Sequence, residues 1–309
     1  MIEILNTIDS VVWGPAMIAL LLGTHIFLTV RMGFIQRKLP QALRMSWGGG
    51  TSKGEGDISN FGALATALAA TIGTGSIVGV ATAILAGGPG AVFWMWITGV
   101  FGMATKYVEV YASVRYRVRD HAGNMLGGAM YALERGFKNE KAGRILAILF
   151  ALFASLAAFG IGASTQSNSL ADALYNTSLI DGKAIPQWLG GAVVVALVAI
   201  VILGWSQYGN RAISYLLGKK AVLPYYIVFL LFVFWGCIMV GDAAGSATVS
   251  NLSSVVWNVA DVMNALMAIP NCIAVLGLSA IIARETKHYV YDGNLEEVDD
   301  TEIPQYDEK

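Results

Sequence analysis

Long apolar runs separated by short polar loops fill most of this chain. Seven runs reach or approach the roughly 17–25 residues that a helix needs to cross hydrocarbon. They are residues 11–30, 60–86, 91–114, 145–166, 188–204, 221–240 and 259–283, the fifth being marginal in length. The pattern predicts an all-α, polytopic membrane protein with about seven transmembrane helices. Residues 1–284 form one transmembrane domain in this reading, and 285–309 form an acidic tail. The first run is read as a retained helix rather than a secretory leader. Its leading residues are acidic, and Arg31 and Met32 follow it in place of a small-residue cleavage site.

The second run differs from the others. Gly73-Thr74-Gly75-Ser76 interrupts the apolar stretch 65–84 near its middle. An unsatisfied backbone amide in hydrocarbon costs several kcal/mol, so non-helical backbone survives at that depth only when buried or lining a cavity. A spanning helix broken at mid-depth is the best sequence pointer to a transporter's binding site. Freed N–H groups and the positive end of the second half-helix suit a carboxylate, and freed carbonyls suit a cation. The same Gly-x-Gly also fits a packing notch or a flexible kink.

Composition narrows the function classes. Charged residues are 13% of the chain and apolar ones 56%, with a mean hydropathy of +0.60; a soluble domain carries about twice that charge. The net charge of −1 gives no reason to expect a nucleic-acid partner. Cys237 and Cys272 lie in apolar segments and imply neither a disulfide framework nor a metal site. His25, His121 and His288 are scattered; His25, inside a span, fits either a proton relay or a contact with a neighbouring helix. The chain has no nucleophile–base set, metal cluster, Walker loop or dinucleotide fingerprint, so it does not read as an enzyme.

Basic residues set the orientation. Arg31, Arg37, Lys38, Arg44 and Lys53 follow the first run, and Arg115 to Arg144 supply seven more after the third. Arg211, Lys219 and Lys220 follow the fifth run, and Arg284 and Lys287 the seventh. The intervening loops hold Lys183 alone. The alternation predicts an outside N-terminus and a cytoplasmic C-terminus. The tail, with Asp292, Glu296, Glu297 and further acids, is expected to be solvated and mostly disordered.

Other features carry candidate chemistry. Residues 87–96, Gly-Gly-Pro-Gly-Ala-Val-Phe-Trp-Met-Trp, make a tight reversal, with Trp94 and Trp96 placed for the aromatic belt. Lys106 and Glu109 share a helix face at i and i+3. They fit either interfacial snorkelling or a cytoplasmic gate. The polar run from Ser164 to Ser169 fits either an entry path or the point where a helix meets water. Pro270 frees a backbone carbonyl one turn earlier, which Asn264 or Asn271 can satisfy.

Several of these strings resemble the sodium:alanine (alanine or glycine:cation) symporters. They are Ser59-Asn60-Phe61, the run 71–84, residues 87–96, and Gly102-Met103-Ala104-Thr105-Lys106-Tyr107-x-Glu109. Weaker pieces agree in order: Gly127-Gly128-x-Met130-Tyr131, Gly204-Trp205-x-x-Tyr208-Gly209 and Met267-Ala268-Ile269-Pro270-Asn271. The resemblance covers nearly all of the chain up to the tail. It implies an inner-membrane carrier built on two five-helix inverted repeats, coupling uptake of alanine or glycine to sodium, sometimes to protons. Its implied partners are that amino acid, the ion and membrane lipid, with sodium as coupling ion and no other cofactor. Thr71, Gly73, Thr74, Gly75 and Ser76 would hold the substrate. Ala69, Ile72 and Ser76 would help hold sodium. The family usually has Asn where this chain has Ser76, a slightly larger residue at Gly99, and Pro at Ala129. A larger departure lies between Leu203 and Gly204, where a block of about four spans, including the second broken helix, is absent. The expected fold is therefore an incomplete inverted repeat. The expected function is impaired carriage by this polypeptide, with a non-transporting membrane scaffold or regulatory remnant as the alternative.

Overall fold

Where water is excluded, every peptide group must find its partner inside its own segment, and apolar sequence of this length therefore coils into helices. The computed structural model describes residues 2–47, 59–71, 74–171, 204–238, 247–297 and 302–306. Helices α1 (Ile2–Val12) and α2 (Pro15–Arg31) are separated at Trp13-Gly14, with Pro15 at the first position of α2, where its missing N–H costs nothing. A 3-10 turn (Ile35–Lys38) leads into α3 (Leu39–Trp47). Then come α4 (Asn60–Thr71), α5 (Thr74–Gly87) and α6 (Gly90–Arg115). A two-stranded hairpin, β1 (Val118–Arg119) and β2 (Met125–Leu126), precedes α7 (Ala129–Gly136). Helix α8 (Glu140–Ala157) continues through a π-helical turn (Ala158–Ser164) to residue 171. Residues 204–217 form α9, followed by α10 (Val222–Ile238) and α11 (Ala247–Thr286), which ends in a second π turn, Lys287–Tyr291.

Among the described residues, four helical stretches are long and apolar enough to cross a membrane: Glu3–Arg31, Glu140–Ala171, Lys219–Ile238 and Ser254–Tyr291. They contain the first, fourth and seventh predicted spans and the sixth as far as residue 238, residues 239–240 lying outside the described ones. The third falls on α6, whose 26 residues have the length. The second falls on α4 and α5. The fifth, 188–204, and the junction at Leu203 lie outside the described residues apart from Gly204. Outward faces are apolar, as lipid requires; Leu85, Trp94, Trp96, Leu223 and Phe234 are all exposed.

The chain divides into two units. In the first (Met1–Trp13, Thr66–Ala86, Leu152–Leu266), the core is aromatic. Phe159 stacks on Phe232 at 5.2 Å between ring centres, and the Tyr225 hydroxyl donates to the Ser155 carbonyl at 3.1 Å. Small residues permit this approach: a Cβ on Gly209 would collide with Tyr225, and one on Gly160 with Ala260.

In the second unit (Gly14–Ala65, Gly87–Ala151, Met267–Lys309), Leu28 and Met32 pack against Ala104, Val108 and Ala112, with Val275, Leu278 and Ile282 closing the core. The small side chains at four-residue spacing give α6 a thin face that its neighbours approach closely. The hairpin tip is closed by Asp120, whose carboxylate accepts from the Ala122 and Asn124 amides at 2.9 and 2.8 Å.

The expectation of a mostly disordered tail is corrected by the structure. The tail's first residues continue α11 to Thr286 and the π turn to Tyr291. Farther on, Arg119 N donates to the Pro304 carbonyl at 2.9 Å and Tyr306 N to the Arg119 carbonyl at 2.8 Å. The Tyr306 ring meets buried Tyr131 edge-on at 5.5 Å. The free edge of β1 gives an acidic segment backbone partners that its composition does not reveal.

Candidate functional site

The candidate site of the sequence reading lies where α4 and α5 adjoin. Helix α4 is described as far as Thr71 and α5 from Thr74; Ile72 and Gly73, which the sequence reading places in the site, lie outside the described residues. The last four carbonyls of a helix and its first four amides have no intrahelical partner. The break that the sequence predicts at Gly73–Ser76 would put the carbonyls of Leu68 and Ala69 and the amides of Thr74, Gly75 and Ser76 in such positions. Carbonyl ends attract a cation and amide ends an anion. The Thr71 hydroxyl donates to the Ala67 carbonyl at 2.8 Å and faces outward. Side chains from 74 to 78, and those of Ala69 and Ala70, fall outside the described ones. The rest of both helices is largely exposed, including Phe61, Leu68 and Leu85.

A second polar set lies between α2 and α6. His25 Nδ1 and Thr105 Oγ1 are 2.7 Å apart, so His25 faces a neighbouring helix rather than lipid. Gln36 donates to the Val100 carbonyl at 2.9 Å and to Thr29 Oγ1 at 3.1 Å, and Thr29 donates to the Phe101 carbonyl at 3.3 Å. Thr24 is buried on the same helix, one residue before His25. The sequence pattern singles out His25 alone; threonines in apolar runs give no local sign of which helix they face. On α11, Pro270 is buried within the helix, and Asn271 Oδ1 is buried with no donor among the described residues.

Lys106 and Glu109 do pair, at 3.2 Å, but within α6, and the Lys106 side chain is 62% exposed. Among the described residues, Arg115 and Glu285 form an ion pair that does join two helices, also at 3.2 Å. Beside it the Tyr107 hydroxyl and Thr286 Oγ1 lie 2.9 Å apart. Burial pushes the Tyr116 phenol up, with Arg115 opposing and Glu285 adding to the shift. A contact between residues 170 positions apart leaves no trace in local sequence.

The run from Ser164 to Ser169 completes the π turn and continues the helix beyond it. Ser164, Gln166 and Ser167 are buried, and Asn168 donates to the Gly236 carbonyl at 3.2 Å. Ser167 Oγ donates back to the carbonyls of Ala163 and Ser164 at 2.9 and 3.0 Å. These bonds satisfy backbone groups that the wider π ladder displaces.

The sequence model described as "Sodium:alanine symporter family" matches residues 1–205 and 202–302. A sodium/alanine symporter of Methanococcus maripaludis is 48% identical over 232 residues, which are 74% of this chain and 49% of that protein. An uncharacterized transporter of Haemophilus influenzae is 48% identical over 223 residues, 72% of this chain and 47% of its own. A probable sodium/glutamine symporter of Bacillus subtilis is 34% identical over 204 residues, 65% and 40% of the two chains. The chain thus spans about half the length of the curated relatives it matches.

Proposed function

The chain belongs to the sodium:alanine symporter family, a family of transporters rather than enzymes, and from that premise we propose that it descends from a sodium-coupled carrier of small neutral amino acids. Alanine or glycine is the substrate. The substrate carboxylate lies against the amides of Gly73, Thr74, Gly75 and Ser76, with Thr71 beside it. Sodium lies against the carbonyls around Ala69 and Ile72, with the Ser76 hydroxyl as a shorter ligand than the family's usual Asn. The observation that carries this reading is the sequence Gly73-Thr74-Gly75-Ser76 in the middle of an apolar run long enough to cross a membrane, in a chain that matches the family over nearly its whole length. The charge alternation of the loops supports an inner-membrane protein with its N-terminus outside. Lys106 and Glu109 serve as a gate only by opening, since the pair neutralises itself as it stands.

We further infer that about four spans are absent between Leu203 and Gly204, a reading supported by matched stretches that meet at 202–205. A half-site of this kind lacks the second broken helix, and the polypeptide taken alone is a poor carrier. Binding of labelled alanine to the purified chain in lipid nanodiscs tests the site. Binding is expected to require sodium, to be competed by glycine and to vanish in Gly75→Leu. If the wild type binds no alanine while Gly75→Leu alters only its self-association, the scaffold reading replaces this one.

A further inference from the structure

We propose that residues 33–47 form an anchor lying on the bilayer surface, and that it binds anionic lipid headgroups of the leaflet at which the helix Glu3–Arg31 ends. The geometry begins at a fixed corner. Gly33 and Phe34 are both left-handed, with φ of 65° and 59°. Left-handed backbone is costly for a residue such as Phe34, so surrounding contacts must hold it. They do: Phe34 N donates to the Thr29 carbonyl at 2.9 Å, and the Tyr291 hydroxyl lies 2.9 and 2.8 Å from the carbonyls of Met32 and Gly33. The chain therefore leaves α2 in a set direction instead of fraying.

Beyond the corner the chain is amphipathic. On α3, Leu39, Leu43 and Trp47 share one face with Ala42, while Gln41 and Arg44 lie opposite. No residue of α3 is buried; Trp47 is 70% exposed and Leu39 45%. Three cations, Arg31, Arg37 and Lys38, precede this stripe, Arg44 lies on the face opposite it, and no carboxylate occurs between residues 31 and 47. Arg37 lies over the Phe34 ring at 5.3 Å and Lys38 over the Tyr291 ring at 5.2 Å. Cationic heads rooted on aromatic rings hold their charge at headgroup depth. An apolar stripe that starts where a membrane-crossing helix stops, edged by bases alone, matches the acyl boundary on one side and lipid phosphate on the other.

The full chain in phosphatidylcholine vesicles, with and without phosphatidylglycerol, tests this. Subtracting the emission of Trp47→Phe isolates the signal of Trp47. Brominated acyl chains should quench that signal more strongly in the anionic vesicles, by about twofold or more. High salt should remove the increment, as should the combined change Arg37→Gln, Lys38→Gln and Arg44→Gln. The salt measurement uses the wild type and stands even if the variant misfolds. Bromine quenching indifferent to phosphatidylglycerol would overturn the proposal. So would equal quenching by aqueous acrylamide in both vesicles, or shielding from both quenchers by a second copy of the chain.

Discussion

Gly162 shows how much of this molecule depends on single atoms. It lies on the π turn of α8, where a Cβ would come within 2.8 Å of the Trp205 side chain. Gly162→Leu should overpack the contact and destabilise the fold by about 1–3 kcal/mol, read as a lower thermal midpoint in detergent; an unchanged midpoint would mean that the two residues do not touch in solution. At this scale the sequence was legible where neighbours are close along the chain. Lys106 and Glu109 pair as their spacing predicts. The partners of Arg115, Tyr107 and Thr29 were not legible, because they lie on other helices. The run from Ser164 to Ser169 left two roles open; Ser164, Gln166 and Ser167 are buried, and the residues after 171 lie outside the described ones.

Helices were legible from run length, since only a coil satisfies the backbone in lipid. Four of the predicted spans coincide with membrane-length helices, and α6 supplies the length of a fifth. The short elements were not. Two-residue strands carry no alternation to read, so the hairpin at 118–126 and its pairing with the tail have no sequence signal. The corner at Phe34 was equally silent, because left-handed phenylalanine is set by tertiary contacts. The tail's pairing has a testable consequence. Truncation after Glu297 should leave the amide of Arg119 without the Pro304 carbonyl and raise its hydrogen exchange, with little change in the β1–β2 bonds. Unchanged exchange at Arg119 would mean that the tail does not dock.

Across the whole molecule, the family was legible because its motifs sit in the glycine-bearing second run and in the reversal between the second and third. The proposed site was legible only as a glycine pair in an apolar run; Ile72 and Gly73 and the side chains of Ala69, Thr74, Gly75 and Ser76 lie outside the described ones. A break there, as proposed, needs a facing helix in lipid. The chain spans about half of its curated relatives, and the spans proposed to be absent include that helix. The most direct measurement is sodium-driven accumulation of labelled alanine in proteoliposomes, with this chain compared against the Methanococcus maripaludis relative at equal protein. Uptake is expected to fall far below the relative's and to be restored when a fragment supplying the central spans is co-reconstituted. Accumulation by the short chain alone at the relative's rate would contradict a half-site that needs its missing helix.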